Sequence, residues 1–248
     1  MLSVTAALPD QPSAKPAIVL VHGAASSALV WTHWQTLLAE CGWPSYAIDL
    51  RGHGRSTPVD LSSVSMYHYA DDVRSLLLQL SRPVVMGWSM GGLVAIIAAA
   101  NGDARPPEAV VALAPSTPAR QRNPAKELRP GVYGPEYYGI TSRDPTDQPA
   151  MPDLDRDERE IAIASLGQES AFARADRAAG IVIESLPCPL MIVTGSDDPL
   201  WPRSRFDGLW LDATYLDIEG PSHWGLVLSH RALATAVPAV VEWLDQIS

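Results

Sequence analysis

A serine between two glycines is the strongest candidate for chemistry in this chain. Ser89 is the central residue of segment 87–91, Gly-Trp-Ser-Met-Gly, which lies between the apolar runs 83–86 and 92–97. Strand, sharp turn and helix in this order expose a hydroxyl nucleophile at the top of a sheet. The free N–H groups that begin the helix favour negative charge beside it. The pattern predicts a nucleophilic serine, although a glycine-bounded turn with an incidental serine has the same spacing.

A nucleophilic serine needs a general base, and the chain contains six histidines. His223 lies in segment 220–225, Gly-Pro-Ser-His-Trp-Gly, between an apolar strand-like run and the last predicted helix. His22 and His53 also lie in glycine-containing turns after predicted strands. The other three lie within predicted helices and are interpreted as surface or structural residues: His33, His68 and His230.

The base in turn needs a carboxylate that holds its productive tautomer. Segment 195–202, Gly-Ser-Asp-Asp-Pro-Leu-Trp-Pro, directly follows the predicted strand 190–193. Its carboxylates, Asp197 and Asp198, are therefore expected at the same sheet edge as Ser89. An Asx turn before proline is the competing interpretation of this Asp-Asp-Pro sequence.

Apolar runs of strand length alternate with helical patterns along the chain. Most of the runs are apolar at successive positions, as in strands covered on both faces of a parallel sheet. The predicted strands are 17–21, 46–50, 83–86, 110–114, 190–193 and 214–218, and the predicted helices are 31–40, 66–80, 90–100, 203–209 and 232–247. Alternation of this kind predicts an α/β fold with a doubly wound, mostly parallel open sheet.

One long segment interrupts the alternation. No strand is predicted between residues 115 and 187; its first half is rich in proline, and residues 156–178 read as one or two helices. A segment of this length between two strands is more plausibly an inserted cap than an unstructured loop. We therefore expect a core formed by residues 1–115 and 188–248 and a mainly helical cap over residues 116–187.

Composition narrows the classes of partner. The 248 residues carry a formal net charge of −10, which argues against nucleic acid or an anionic membrane as the partner. Cys41 and Cys188 fit no metal or redox spacing and are expected to be buried free thiols. The N-terminus lacks a secretion signal, and no apolar run could span a bilayer, so a cytoplasmic location is expected.

Taken together, these segments resemble the α/β-hydrolase superfamily, and specifically its esterase-like branch. The resemblance rests on five blocks in order: His22-Gly23 with Trp31 downstream, segment 49–56, the Ser89 turn, the Gly-x-x-Asp-x-x-x-Pro block 195–202, and His223. It implies a Ser89–Asp198–His223 triad, since Asp198 is the fourth residue of its block. It also implies an oxyanion hole from the N–H groups of Ala24 and Met90, and no metal or cofactor. Such proteins usually open with a β-hairpin, but only 16 residues precede residue 17, so one strand or none is expected there.

The expected reaction is hydrolysis of a small to medium carboxylic ester through an acyl-enzyme intermediate. Trp88, beside Ser89, and Trp224, after His223, are candidate substrate-binding residues, although most tryptophans simply fill the core. The same triad also serves lactonases, thioesterases and carbon–carbon bond hydrolases, which are alternative functions. A lyase or a non-catalytic ligand receptor on the same fold is a less favoured alternative. The expected partner is a small molecule with an ester-like carbonyl, and the sequence leaves the oligomeric state open.

Overall fold

A seven-stranded sheet forms the centre of the computed structural model, which describes residues 1–100 and 106–247. Its strands, in spatial order, are β1 (Ser3–Ala7), β3 (Ser45–Asp49), β2 (Ile18–Val21), β4 (Val84–Trp88), β5 (Val110–Leu113), β8 (Leu190–Gly195) and β9 (Thr214–Ile218). All neighbouring pairs are parallel except β1 and β3. The predicted fold class is confirmed.

The strands at the middle of the sheet are buried along their whole length. Strands β2, β4 and β5 have no exposed residue, because helices cover both faces of the sheet. The N-terminal segment contributes a single strand, β1, which pairs antiparallel with β3 at the edge. None of its five residues is buried, which suits an edge position.

Seven helices lie in the described part of the chain. They are α1 (Thr32–Glu40), α2 (Met66–Leu77), α3 (Met90–Ala100), α4 (Arg156–Ser165), α5 (Ala171–Ala179), α6 (Gly225–Leu228) and α7 (His230–Ile247). Helices α1, α6 and α7 contribute to the apolar core on one face of the sheet, and α2 and α3 to the core on the other. Two cores separated by a sheet are the signature of a doubly wound fold.

One predicted helix is much shorter than its pattern indicated. In place of a helix over residues 203–209, the chain forms a 3₁₀ turn at Arg203–Phe206. Asp207 then adopts an extended conformation, and Gly208 has a φ of 77°. A residue in the left-handed region cannot continue a right-handed helix, so the element ends there.

The insertion contains α4, α5 and a two-stranded antiparallel sheet that the sequence did not suggest. Strand β6 (Val132–Tyr133) pairs with β7 (Glu169–Ser170), joining the proline-rich half of the insertion to its helical half. A 3₁₀ turn over Pro135–Tyr138 follows β6. The assignment of residues 116–187 as a cap remains a prediction.

Two smaller expectations concern the surface. Both cysteines are free, but Cys41 is exposed at the end of α1 and Cys188 is half-buried, so the expectation of buried thiols was wrong. No helix among residues 1–100 and 106–247 has the length and hydropathy to cross a membrane.

Candidate active site

Ser89 lies at the turn between β4 and α3 in a strained backbone conformation. Its φ of 57° lies in the left-handed region, which is costly for a residue with a side chain and is found at functional turns. The flanking glycines permit the close packing of this turn. A Cβ on Gly87 would lie 2.2 Å from the Gly91 carbonyl oxygen, and one on Gly91 would lie 2.3 Å from that of His22. The half-buried Ser89 is thereby presented at the carboxyl edge of the sheet.

The structure brings His223 and Asp198 into direct contact. His223 Nδ1 lies 2.7 Å from Asp198 Oδ2, while Asp198 Oδ1 accepts hydrogen bonds from the N–H groups of Leu200, at 2.7 Å, and Trp201, at 3.1 Å. Burial opposes ionisation of Asp198, but the hydrogen bonds from His223 and the two N–H groups hold its pKa below the ordinary value. A charged Asp198 fixes the proton on Nδ1 and leaves Nε2 free to act as a base.

Asp197 has different surroundings. Its Oδ1 accepts a hydrogen bond from the hydroxyl of Ser196, and the residue is exposed at the cavity rim. The geometry therefore pairs His223 with Asp198, as the resemblance implied.

The loop that carries His223 is held by the insertion and by the strand before Ser89. Asp153 accepts hydrogen bonds from the N–H of Ser222, at 2.9 Å, and from its hydroxyl. The indole N–H of Trp88 donates to the carbonyl of His223 at 3.0 Å, with the two rings 5.0 Å apart. No sequence pattern predicted this role of Asp153, because its partner lies 69 positions away.

Neither of the alternative bases lies at the cavity that contains Ser89. His22 Nδ1 donates to the carbonyl of Gly23 at 2.8 Å, and its Nε2 accepts from the N–H of Leu50 at 3.2 Å. Burial, reinforced by the nearby charge of His53, lowers the pKa of His22 to about 4. His22 is therefore a neutral structural residue.

His53 forms part of a buried polar cluster with Glu169 of the insertion. His53 Nε2 lies 3.3 Å from Glu169 Oε2, an ionic contact without hydrogen-bond alignment. Tyr69 donates its hydroxyl proton to Glu169 Oε1 at 2.6 Å, and the N–H of Ala25 donates to Oε2 at 3.2 Å. Burial raises the pKa of Glu169, but the charge of His53 and the hydrogen bonds outweigh it and lower that pKa to about 2. Glu169 thus ties the insertion to the loop after β2.

That loop carries one of the two predicted oxyanion-hole residues. Ala24 precedes Ala25, whose φ of 54° and bond to Glu169 fix the turn, and Met90 begins α3. Within the described residues, the N–H groups of Ala24 and Met90 have no hydrogen-bond acceptor. Two unpaired donors beside the serine are the arrangement that a developing oxyanion requires.

Ser89 and His223 open into one cavity of about 650 Å³. Ala24, Trp88 and Trp224 also line it, so both predicted substrate-binding tryptophans are placed at its wall. The insertion supplies the opposite wall, including residues that the sequence analysis did not single out: Tyr137, Tyr138, Ile140, Leu166, Arg174 and Arg177. A larger groove along residues 8–17 contains none of the predicted site residues.

One group of side chains in the described ranges has the spacing of metal ligands, and it lies outside this cavity. His33, Glu158 and His230 place one ligand atom each within 4.8 Å of one another. Both Glu158 oxygens already accept backbone hydrogen bonds, from Asp155 and His230, and His33 donates to the carbonyl of Leu228. The group therefore joins α1, α4 and α7.

Comparison with known proteins places this fold and site in a family. The family model of the alpha/beta hydrolase family matches residues 18–236. The chain belongs to that family. Family membership supports a hydrolase enzyme, and the site residues named above all fall inside the matched region.

The proteins that this chain resembles differ in the activities that they are named for. A pimeloyl-[acyl-carrier protein] methyl ester esterase from Pectobacterium carotovorum is 29% identical over 83% of this chain and 86% of its own length. A 2-succinyl-6-hydroxy-2,4-cyclohexadiene-1-carboxylate synthase from Serratia proteamaculans is 25% identical over 68% of this chain and 76% of its own. Epoxide hydrolase A from Mycobacterium thermoresistibile superposes with a TM-score of 0.73, at 20% identity, over the whole chain and 95% of its own, which shows a shared fold.

Proposed function

We propose that this protein is a serine hydrolase that cleaves a small to medium carboxylic ester through an acyl-enzyme intermediate. The observation that carries the proposal is the strained Ser89 turn opening into the same cavity as His223, whose Nδ1 lies 2.7 Å from Asp198. The nucleophile, the orienting carboxylate and the base follow one another along the chain in the order that is typical of this fold. The similarity to a methyl ester esterase is consistent with this reaction.

In the proposed mechanism, His223 removes the proton from Ser89 as the hydroxyl attacks the ester carbonyl. Asp198 stabilises the imidazolium that forms, and the N–H groups of Ala24 and Met90 bind the oxyanion. The alcohol leaves with the proton from His223. Water, deprotonated by His223, then attacks the acyl-enzyme and releases the acid.

The proposal is tested with nitrophenyl esters of graded acyl length. We expect Ser89→Ala to lower kcat by roughly 10⁴ to 10⁶, and His223→Ala to do about the same. The double variant should be scarcely worse, because the residues act as a unit. Ser204→Ala, on the exposed 3₁₀ turn outside the cavity, is the matched control and should keep full activity.

A fluorophosphonate probe provides the second readout. It should label Ser89 alone in the unmodified protein and leave Ser89→Ala unlabelled. Turnover that persists in Ser89→Ala, or labelling at another serine, contradicts the assignment of the nucleophile.

A further inference from the structure

The cavity beside Ser89 carries a positive charge that its proposed chemistry does not use. Three arginines line it, Arg174, Arg177 and Arg205, against the single carboxylate of Asp197 among the described lining residues. The chain as a whole has a net charge of −10, with 18 basic and 28 acidic residues. The cavity is therefore lined by an excess of positive charge in a protein whose net charge is negative.

Arg177 is half-buried at the wall of the cavity. It lies in the last turn of α5. Its Nη1 donates to the Ser116 hydroxyl at 3.2 Å and its Nη2 reaches the Tyr138 hydroxyl at 3.5 Å, a weak contact. No carboxylate in the described ranges lies within ion-pair distance of it: Asp176, beside it in sequence, pairs with Arg122, and Glu169 with His53.

Arg174 lies one helical turn before Arg177 on the same side of α5. Its guanidinium donates to the Tyr137 hydroxyl and lies 4.2 Å from the centre of that ring, while its buried Nε has no partner in the described part of the chain. A guanidinium has five N–H donors, and burying its charge without a counter-ion is costly. Two such groups facing one cavity indicate that an anion completes their environment.

The position of Arg177 relates this anion to the nucleophile. Ser116, whose hydroxyl accepts from Arg177, donates its backbone N–H to the carbonyl of Ser89 at 3.0 Å. One small molecule can therefore contact the guanidinium and present a carbonyl to Ser89. Planar guanidinium groups bind carboxylates with paired hydrogen bonds.

We infer that the substrate is an ester that also carries a carboxylate, and that Arg177, assisted by Arg174, binds this carboxylate. The inference rests on the proposed serine hydrolase function and narrows its substrate class. Arg177 is a specificity-determining residue: it selects the charge of the substrate and takes no part in proton transfer.

Two pairs of esters matched in shape test the inference. Monomethyl succinate is compared with methyl 4-methylpentanoate, which replaces the carboxylate by an isopropyl group on the acyl side. Acetoxyacetate is compared with isobutyl acetate, which replaces the carboxylate by an isopropyl group on the alcohol side. We expect kcat/KM to be about tenfold or more higher for the anionic member of at least one pair. A preference for the neutral member in both pairs overturns the inference.

Variants separate a binding role of Arg177 from a structural one. Arg177→Gln should lower kcat/KM for the preferred anionic ester by about 10- to 100-fold and leave its neutral match within about threefold. Arg156→Gln removes a positive charge from the exposed part of α4, outside the cavity, and should change neither value. Equal losses on both members of the pair in Arg177→Gln would show that the residue only supports the fold.

A binding measurement keeps the inference independent of turnover. Calorimetry of Ser89→Ala with glutarate should show binding that Arg177→Gln abolishes in the same background, whereas neutral glutaramide should not bind. Glutarate binding without turnover of any ester supports the anion site and contradicts the serine hydrolase function. Turnover of neutral esters with no glutarate binding supports the serine hydrolase function and contradicts the anion site.

Discussion

At the scale of single residues, Asp198 shows why a one-position choice in sequence has a large chemical consequence. Asp197 and Asp198 are adjacent, but only Asp198 contacts His223, while its second oxygen is held by two backbone N–H groups. Those two N–H bonds fix the rotation of the carboxylate, so the oxygen that faces the imidazole is determined by the turn itself.

We expect Asp198→Asn to lower kcat by roughly 10⁴, as the corresponding change does in other serine triads. The asparagine oxygen can keep the bonds to Leu200 and Trp201, which turns its NH₂ group toward His223 Nδ1. Nδ1 must then accept, the proton moves to Nε2, and the base is lost. Asp197→Asn is the matched control, and steady-state kinetics with a nitrophenyl ester should show an effect below about threefold. The opposite ranking would mean that Asp197 orients the base in solution.

At the scale of elements, the insertion does more than line the cavity. Asp153 binds the loop of His223, and Glu169 binds the loop that contains Ala24, so both loops at the proposed site are attached to it. Three of the acidic residues between 153 and 158 have specific partners: Asp153 binds Ser222, and Asp155 and Glu158 form a reciprocal cap on the first turn of α4. These contacts favour an ordered structure over the mobile insertion that the acidic sequence also allowed.

The tyrosines after β6 form the wall of the cavity that we expect to control acyl length. The rings of Tyr133, Tyr137 and Tyr138 pack against one another in tilted and edge-to-face arrangements, with ring centres 5.1 to 5.9 Å apart. Tyr137 and Tyr138 line the cavity. Tyr137→Ala removes a ring from this wall, so kcat/KM should shift toward longer acyl chains by about 2- to 10-fold.

Labelling with a small sulfonyl fluoride should stay nearly unchanged in Tyr137→Ala, because the Ser89 turn is not altered. Tyr67→Ala, a comparably exposed tyrosine on α2 outside the cavity, serves as the control. An unchanged chain-length preference in Tyr137→Ala would show that this part of the insertion does not contact the acyl chain.

At the scale of the whole molecule, the sequence predicted the elements that have a local pattern and missed the residues whose roles depend on long-range contacts. Strand β9 and helix α3 were predicted to the residue, because a short run of strand-forming residues and an apolar helix can be recognised from a few consecutive positions. Glu169 and Arg177 carried no such signal. Their roles depend on partners such as Ala25, 144 positions from Glu169, and Ser116, 61 positions from Arg177, which only the folded chain brings together.

The buried pair of His53 and Glu169 makes the stability of the whole molecule depend on pH. The pKa of Glu169 is lowered to about 2 from an ordinary value of 4.5, so its contribution to stability is present above 4.5 and lost as the pH falls toward 2. Burial lowers the pKa of His53, but the charge of Glu169 outweighs it and the net shift is upward. The contribution of His53 is therefore present below its ordinary value of 6.5 and lost as the pH rises through its raised pKa. The pair stabilises the fold most between these two limits.

We expect Glu169→Gln to lower the free energy of unfolding by on the order of 1–3 kcal/mol near pH 6, and by progressively less as the pH falls to about 3. The amide keeps the size of the side chain and one of its two acceptor oxygens, so the part of the difference that changes with pH reports the charge. Urea unfolding of both proteins across this range measures it. Glu160→Gln, which removes an exposed carboxylate from α4, should show a small difference at every pH. A loss in Glu169→Gln that is constant from about pH 6 to about pH 3 would mean that the charge of Glu169 does not stabilise the fold, because a charge contribution must shrink below pH 4.5, where Glu169 is protonated in the unfolded chain but still charged in the folded one.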